Sequence, residues 1–195
     1  MLKIIKNIFF LLTFFFLAMN CDQSSQSKNN TNNIVTVKVF SSLTCPHCAD
    51  FHNKIYEKLE KEYINIGKVK FEHHSFPLDV AALNAEKILQ CNANSQVNFE
   101  FLSVIYKKQS KWTAGPDINT INNSIKAIGK EFTLTEDMMN KCLADKGLEE
   151  KILNERIEAT KKYEVNSTPT IYINEKKYKG SRDYKSFKKE IDKLL

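Results

Sequence analysis

Two cysteines separated by two residues carry the most specific chemical signal in this sequence. Cys45, Pro46, His47 and Cys48 directly follow a β-branched run and open an amphipathic segment. A thiolate is the reactive form of cysteine, and the free N–H groups and positive dipole end of a helix N-terminus favour that form. Cys48 lies within the same first turn and can close a disulfide with Cys45. The spacing therefore predicts a redox-active pair with Cys45 as nucleophile, and a protonated or hydrogen-bonding His47 would further stabilise its thiolate.

The same pair could instead be a buried structural disulfide or half of a zinc site. A zinc site of this kind needs a second closely spaced pair of ligands, whereas Cys91 and Cys142 lie far apart in the sequence. We therefore expect redox chemistry, with no metal and no cofactor. His52, one helical turn after Cys48, could shuttle a proton, but a packing or hydrogen-bonding role is favoured.

The elements around the motif follow an α/β order. A strand at 34–40 leads through a short loop into a helix from about 46 to 64, and a second strand runs from 69 to 77. Residues 79–163 show helical periodicity and no strand signal. Strand character returns at 170–173 and, after a turn at Asn174 and Glu175, at 177–179. A final helix begins near Asp183. The order is βαβ, a helical block, then ββα.

A resemblance to a known family rests on three segments. SLTCPHCADFH follows the first strand, Thr168-Pro169 precedes TIYIN, and FPLDVAALNAEKI follows the second strand. Together they resemble the DsbA-like thiol–disulfide oxidoreductases, the third segment resembling many alphaproteobacterial members. The resemblance covers about residues 34–195. It implies a thioredoxin fold with an inserted all-helical subdomain, in which 34–77 and 164–195 form the thioredoxin-fold domain and 78–163 the insertion.

The resemblance also implies roles for individual residues. Cys45 takes the place of the exposed nucleophile, and Cys48 that of the cysteine that resolves the mixed disulfide. Pro169 takes the position of a cis-proline that lies against the disulfide, where Thr168 contacts the substrate. Thr168 replaces a valine found in some strongly oxidising members, which leaves the strength of this oxidant open.

The function implied is the introduction of disulfides into exported proteins through the Cys45–Cys48 couple. The partners implied are unfolded or reduced exported proteins and a membrane quinone-linked protein that reoxidises the couple. Two alternatives remain open at this point. One is a disulfide isomerase or reductase of the same fold, and the other is a non-catalytic thioredoxin-fold chaperone or binding module.

The N-terminal residues 1–21 form an export signal or a membrane anchor. Lys3 and Lys6 precede the apolar run 8–19, as in a secretory signal, although an uncleaved anchor is also possible. Cys21 directly follows the run and is a candidate for lipidation, and 22–33 form a polar linker. Each option exports the rest of the chain. We therefore expect a periplasmic protein that is tethered to the membrane through its N-terminus.

The remaining cysteines, Cys91 and Cys142, are expected to form a structural disulfide. Cys21 is set apart at the export boundary and Cys45 pairs with Cys48, so these two are left in an oxidising compartment. Both follow amphipathic helical runs. Two separately buried free thiols are the alternative, because free cysteine is often buried.

Composition excludes several other classes of protein. The chain has 195 residues, of which 42% are hydrophobic and 27% charged, as in an ordinary globular domain. Only two of its 29 basic residues are arginine, which argues against nucleic-acid binding. The net charge is +6, and removal of 1–21 would take away two lysines and leave +4. A charge of that size names no partner, and we expect a monomer.

Overall fold

The strands form one mixed sheet in the order β2-β1-β3-β4. The structure is a computed structural model that describes residues 34–91 and 98–195. The central strand β1 runs parallel to β2 and antiparallel to β3, which pairs antiparallel with β4. The strands are β1 (Val35–Ser41), β2 (Val69–Ser75), β3 (Thr170–Ile173) and β4 (Lys176–Lys177).

Helix α1 connects β1 to β2 and carries the cysteine motif on its first turn. It comprises four consecutive segments, Pro46–Phe51, His52–Tyr56, Glu57–Leu59 and Glu60–Ile64, of which the second and fourth are π-helical. The four-residue spacing of apolar residues predicts the extent of this helix but not its wider π turns, which depend on packing.

Between β2 and β3, where the sequence predicts a helical block, the described residues form six helices. They are α2 (Val80–Leu89), α3 (Phe99–Lys107), α4 (Gln109–Trp112), α5 (Ile118–Glu131), α6 (Glu136–Ala144) and α7 (Lys146–Tyr163). Helix α8 (Tyr184–Asp192) follows β4. Polar side chains accept backbone N–H bonds at the starts of α2, α3, α5, α6, α7 and α8, which fixes where these helices begin.

Two large apolar clusters form the core. One is built on the sheet, where Val37 and Val39 pack with Ile55 of α1 and Phe187 of α8. The other lies within the helical block and includes both Cys45 and Cys48. All described residues belong to one compact unit that spans 32–195. The cysteines are therefore held where the helical block covers the end of the sheet.

The β3–β4 turn uses the two residues that the sequence places there. Asn174 and Glu175 both have positive φ, 44° and 63°, as a two-residue hairpin turn with matching twist requires. The following strand, Lys176–Lys177, is shorter than the predicted strand at 177–179 and begins one residue earlier. The Tyr178 N–H still donates to the Ile171 carbonyl at 2.8 Å, after which the chain leaves the sheet.

Several expectations fall on residues outside the described ranges. The signal or anchor at 1–21, the linker at 22–33 and the lipidation candidate Cys21 all lie there. Within 34–91 and 98–195, no helix combines the length and apolarity needed to cross a membrane.

Candidate active site

Cys45 sits at the N-cap of α1, where backbone donors point toward its side chain. Its backbone is extended (φ −77°, ψ 118°), and Pro46 starts the helix at a position where no N–H is required. The N–H groups of Cys48 and Ala49 both donate to the Cys45 carbonyl, at 3.0 and 3.2 Å. The turn that this closes keeps Cys48 within reach of Cys45.

Four groups stabilise the thiolate of Cys45. The Cys48 thiol donates a hydrogen bond and contributes most, followed by Thr168 and by the backbone N–H groups of Cys48 and His47. Together they outweigh burial and lower the pKa of Cys45 to about 5. All four groups are neutral, so the stabilisation comes from hydrogen bonding at the helix start and not from a neighbouring charge.

Cys48 has the opposite environment. Its side chain is buried, with 1% of the residue exposed. Burial is the main cause that raises the pKa of Cys48 well above its ordinary value, and the neighbouring Cys45 adds to the effect. Both cysteines are reduced in this structure. At neutral pH the pair therefore consists of one thiolate and one thiol that donates to it.

The loop before β3 closes over the cysteines. The Thr168–Pro169 peptide bond is cis, and the Cys45 thiol lies 3.5 Å from the Thr168 carbonyl oxygen, to which it can donate. The Thr168 hydroxyl is buried and has no regular hydrogen-bond partner among the described residues. It is thus available to donate to a Cys45 thiolate. Arg182 donates to the Pro169 carbonyl at 3.4 Å and supports the loop from the side of α8.

Gln109, a residue that the sequence does not mark as functional, supports the motif from the helical block. Its side-chain amide, buried at the start of α4, donates to the carbonyls of Leu43 and Cys45 at 2.8 and 3.0 Å. These bonds satisfy two carbonyls in the loop that precedes α1. A single polar residue in a short helix gives no sequence signal for such a long-range contact.

Asp79 is a second residue that supports the site without a sequence signal for that role. One carboxylate oxygen accepts from the Ala82 N–H at the start of α2, and the other accepts from the Thr44 hydroxyl at 2.7 Å. The helical block is thus linked to the residue that directly precedes Cys45.

The two histidines near the motif differ in exposure. The side chain of His47 is exposed, and its contribution to the Cys45 thiolate comes from its backbone N–H. His52 is buried and its Nε2 lies 2.8 Å from the Ser103 hydroxyl. Burial lowers the pKa of His52 to about 3, so the ring is neutral at physiological pH. It packs between Tyr56 and Tyr106, which agrees with the packing and hydrogen-bonding role expected of it.

Cys91 and Cys142 form a disulfide that links the end of α2 to α6. Their sulfur atoms are 2.01 Å apart and their Cα atoms 5.5 Å apart. Beside it, the buried ammonium of Lys87 donates to the Leu143 carbonyl and pairs with Glu149 at 3.1 Å. Among residues 34–91 and 98–195, no three histidine, cysteine or acidic side chains converge as metal ligands.

Comparison with known proteins gives matches over most of the chain. A sequence model of the family described as "Thioredoxin" matches residues 30–193. The chain is 29% identical over 146 residues to a "Putative protein-disulfide oxidoreductase" of Rickettsia bellii, in a match that covers 75% of this chain and 55% of that protein. The chain thus spans about half the length of that relative. It is also 29% identical over 170 residues to "Disulfide bond formation protein D" of Bacillus subtilis, covering 83% and 72% of the two chains.

Solved structures match the fold over a similar extent. The structure of alpha-DsbA1 from Wolbachia pipientis has a TM-score of 0.73 and 27% identity, and the match covers 83% of this chain and 85% of that one. BdbD from Bacillus subtilis in its oxidised form has a TM-score of 0.65 and 25% identity, with coverage of 86% and 89%.

Proposed function

Because the chain belongs to the thioredoxin family, we propose that it is a thiol–disulfide oxidoreductase that introduces disulfides into exported proteins. The observation that carries this proposal is the asymmetry between its two thiols. The pKa of Cys45 is lowered to about 5, whereas Cys48 is buried with a raised pKa. A couple whose reduced form is stabilised as a thiolate is readily reduced by its client, so its disulfide acts as an oxidant.

The reaction proceeds through two thiol–disulfide exchanges. A client thiolate attacks the Cys45 sulfur of the oxidised couple, forms a mixed disulfide with Cys45 and releases Cys48, which takes up a proton. A second client thiolate then attacks the client's sulfur in that mixed disulfide, forms the client disulfide and releases Cys45 as a thiolate. The client loses two electrons and two protons. The couple gains both electrons and, on Cys48, one proton, while the other proton passes to solvent because Cys45 leaves as a thiolate. In the reverse direction the Cys45 thiolate is the nucleophile and Cys48 resolves the mixed disulfide.

The lowered pKa sets the direction of exchange. A shift from the ordinary value of 9.0 to about 5 stabilises the reduced form at pH 7 by roughly 3 kcal/mol, or about 60 mV for a two-electron couple. Cys45 is 7% exposed, so solvent screening reduces this contribution little. In the second exchange the Cys45 thiolate, with its lowered pKa, is also a better leaving group than an ordinary cysteine thiolate. This favours release of the oxidised client.

The proposal extends to the groups around the couple. The backbone of Thr168 pairs with an extended client segment as an added strand would, while Pro169 lies against the disulfide. His47 contributes to thiolate stabilisation through its backbone N–H. Residues 34–77 and 164–195 form the thioredoxin-fold domain. Residues 78–163 form the insertion that covers it, and the Cys91–Cys142 disulfide cross-links this insertion.

The cellular setting is part of the proposal as well. The basic and apolar start of the chain exports 34–195 to the periplasm and tethers it to the membrane, either as an uncleaved anchor or through lipidated Cys21. Its partners are reduced or unfolded exported proteins and a membrane quinone-linked protein that reoxidises the couple. The protein acts as a monomer without metal or cofactor.

Trapping experiments test the assignment of the two thiols. Cys45→Ser should abolish exchange with a reduced client, and Cys48→Ser should accumulate mixed disulfides visible on a non-reducing gel. The matched control is the double variant Cys91→Ala/Cys142→Ala, which should neither abolish exchange nor trap clients. Preferential alkylation of Cys48 at low pH would show that the roles are reversed.

A further inference from the structure

The end of the sheet opposite Cys45 carries exposed apolar side chains. Ile34, Ile66 and Leu195 are 56, 61 and 43% exposed, although each is large and aliphatic. They lie at the start of β1, in the loop between α1 and β2, and at the end of the chain after α8. We call this surface, together with the lysines named below, the tether-side face, because residue 34 is where the N-terminal linker joins β1.

Hydrogen bonds show that the 66–68 loop and the β3–β4 turn both adjoin the start of β1. The Val35 N–H donates to the Lys68 carbonyl at 3.0 Å, which places the 66–68 loop beside the start of β1. The side-chain oxygen of Asn174 accepts from the Thr36 N–H at 2.8 Å, which places the β3–β4 turn on the other side. Since β1 has seven residues that rise about 3.3 Å each, the face lies roughly 20 Å or more from Cys45.

The same face carries a surplus of positive charge. Lys61, Lys68, Lys176 and Lys177 are all exposed, and none forms an ion pair with a described carboxylate. Nearby acidic side chains are largely neutralised: Glu175 pairs with Lys38 and Glu190 with Lys193, while Glu62 and Asp192 share Lys188. These pairs leave one negative charge against the four lysines. Lys177 does donate to the Glu164 carbonyl at 3.4 Å, but its charge is not compensated. An apolar surface bordered by lysines without carboxylate partners has the chemistry of a site for an anionic lipid bilayer, which offers acyl chains and phosphates together.

We propose that the tether-side face docks on an anionic bilayer surface, with Ile34 and Ile66 at the lipid interface and the lysines among the headgroup phosphates. The linker of 12 residues between Cys21 and Ile34 favours this occupant over a protein partner. A polar linker of that length spans roughly 20 Å, so membrane tethering would hold the face at high effective concentration near lipid. In the docked state Cys45 points away from the bilayer and stays open to clients.

Vesicle binding tests the charge component. A fragment of residues 32–195, which contains the whole compact unit, is mixed with vesicles of phosphatidylcholine alone or with added phosphatidylglycerol. We expect cosedimentation with the anionic vesicles only, weakening as salt is raised. The double variant Lys68→Glu/Lys176→Glu should bind anionic vesicles with an association constant lower by about 25-fold or more, since each lysine removed costs about fivefold.

The control is Lys111→Glu/Lys161→Glu, which has the same net charge but changes exposed lysines of the helical block. It should retain most of the binding. Equal loss in both double variants, or no preference for anionic vesicles, would overturn the proposal.

Tryptophan fluorescence tests the orientation. The emission maximum of Ile66→Trp should shift to shorter wavelength when anionic vesicles are added, whereas that of Ile118→Trp in the helical block should not. The native Trp112 is buried and contributes the same background to both variants. An equal shift at both positions, or none at residue 66, would contradict the stated face.

The docking proposal and the proposed oxidoreductase activity fail separately. The lysine variants should exchange disulfides with a soluble dithiol at the wild-type rate, because the tether-side face lies far from Cys45. A wild-type fragment that binds anionic vesicles but exchanges no disulfides would refute the enzyme function and leave the docking surface intact.

Discussion

The largest stabilising contribution to the Cys45 thiolate comes from Cys48, so removal of that donor should have a measurable effect. In Cys48→Ala the S–H donor is lost while the helix start and Thr168 remain. A hydrogen bond to a charged group contributes about 1.5–3 kcal/mol, and one pKa unit corresponds to about 1.4 kcal/mol. The pKa of Cys45 should therefore rise from about 5 to about 6–7.

Cys48→Ser is the matched control, because its hydroxyl replaces the thiol as a donor at the same position. The pKa of Cys45 in this variant should stay close to its wild-type value. The rate of alkylation by iodoacetamide is measured against pH on the fragment of residues 32–195. Cys91 and Cys142 are joined in a disulfide, so Cys45 is the single reactive thiol in either variant.

Two results would refute this reasoning. If Cys48→Ala titrates at the wild-type pKa, the backbone N–H groups and Thr168 supply the stabilisation without Cys48. If the pKa of Cys45 rises as far in Cys48→Ser as in Cys48→Ala, the loss of sulfur and not the loss of a hydrogen-bond donor causes the shift.

Three further outcomes follow from burial and pairing. The folded pKa of Cys45 is lowered, so the stability it adds to the reduced protein is present above the unfolded pKa near 9 and is lost as pH falls toward about 5. Urea titrations should show the reduced form losing roughly 2 kcal/mol relative to the oxidised form between pH 7 and 5, and a constant difference would contradict the lowered pKa. The buried Glu86 carboxylate is hydrogen-bonded to His73 and Ser75, so Glu86→Ala should lower the unfolding free energy by about 2–5 kcal/mol. As a control, Glu131→Ala, which removes an exposed ion pair with Lys108, should lower it by less than about 1 kcal/mol. Cys91→Ala/Cys142→Ala opens a loop with a sequence separation of 51 and should cost about 4 kcal/mol in chemical denaturation, and an unchanged midpoint would contradict a stabilising role.

The sequence predicts the order of elements and the redox pair because both depend on local patterns. The β-branched run before Cys45 and the four-residue spacing from Phe51 to Tyr63 each indicate one element directly. Asn174 and Glu175 mark the hairpin turn because few residue types occur in such turns. These signals lie within a few positions of the structure that they determine.

The contacts that complete the site could not be predicted, since they join residues far apart in the chain. Gln109 is 64 residues from Cys45, and nothing in its helix distinguishes it from a surface glutamine. Asp79 has the sequence pattern of a helix cap, which hides its second bond to Thr44. The sequence also indicated His47 as a thiolate partner through its ring, whereas the structure places the ring in solvent and its backbone N–H toward the thiolate.

The central claim is that Cys45 and Cys48 form an oxidising couple because the reduced form is stabilised as a thiolate. A redox titration of this couple against glutathione tests it most directly. A thiolate pKa of about 5, compared with about 7 in thioredoxin, predicts a potential about 50 mV or more above the roughly −270 mV of thioredoxin. A potential near −220 mV or less negative would agree with the account. A potential at or below about −270 mV would contradict it and indicate a reductase.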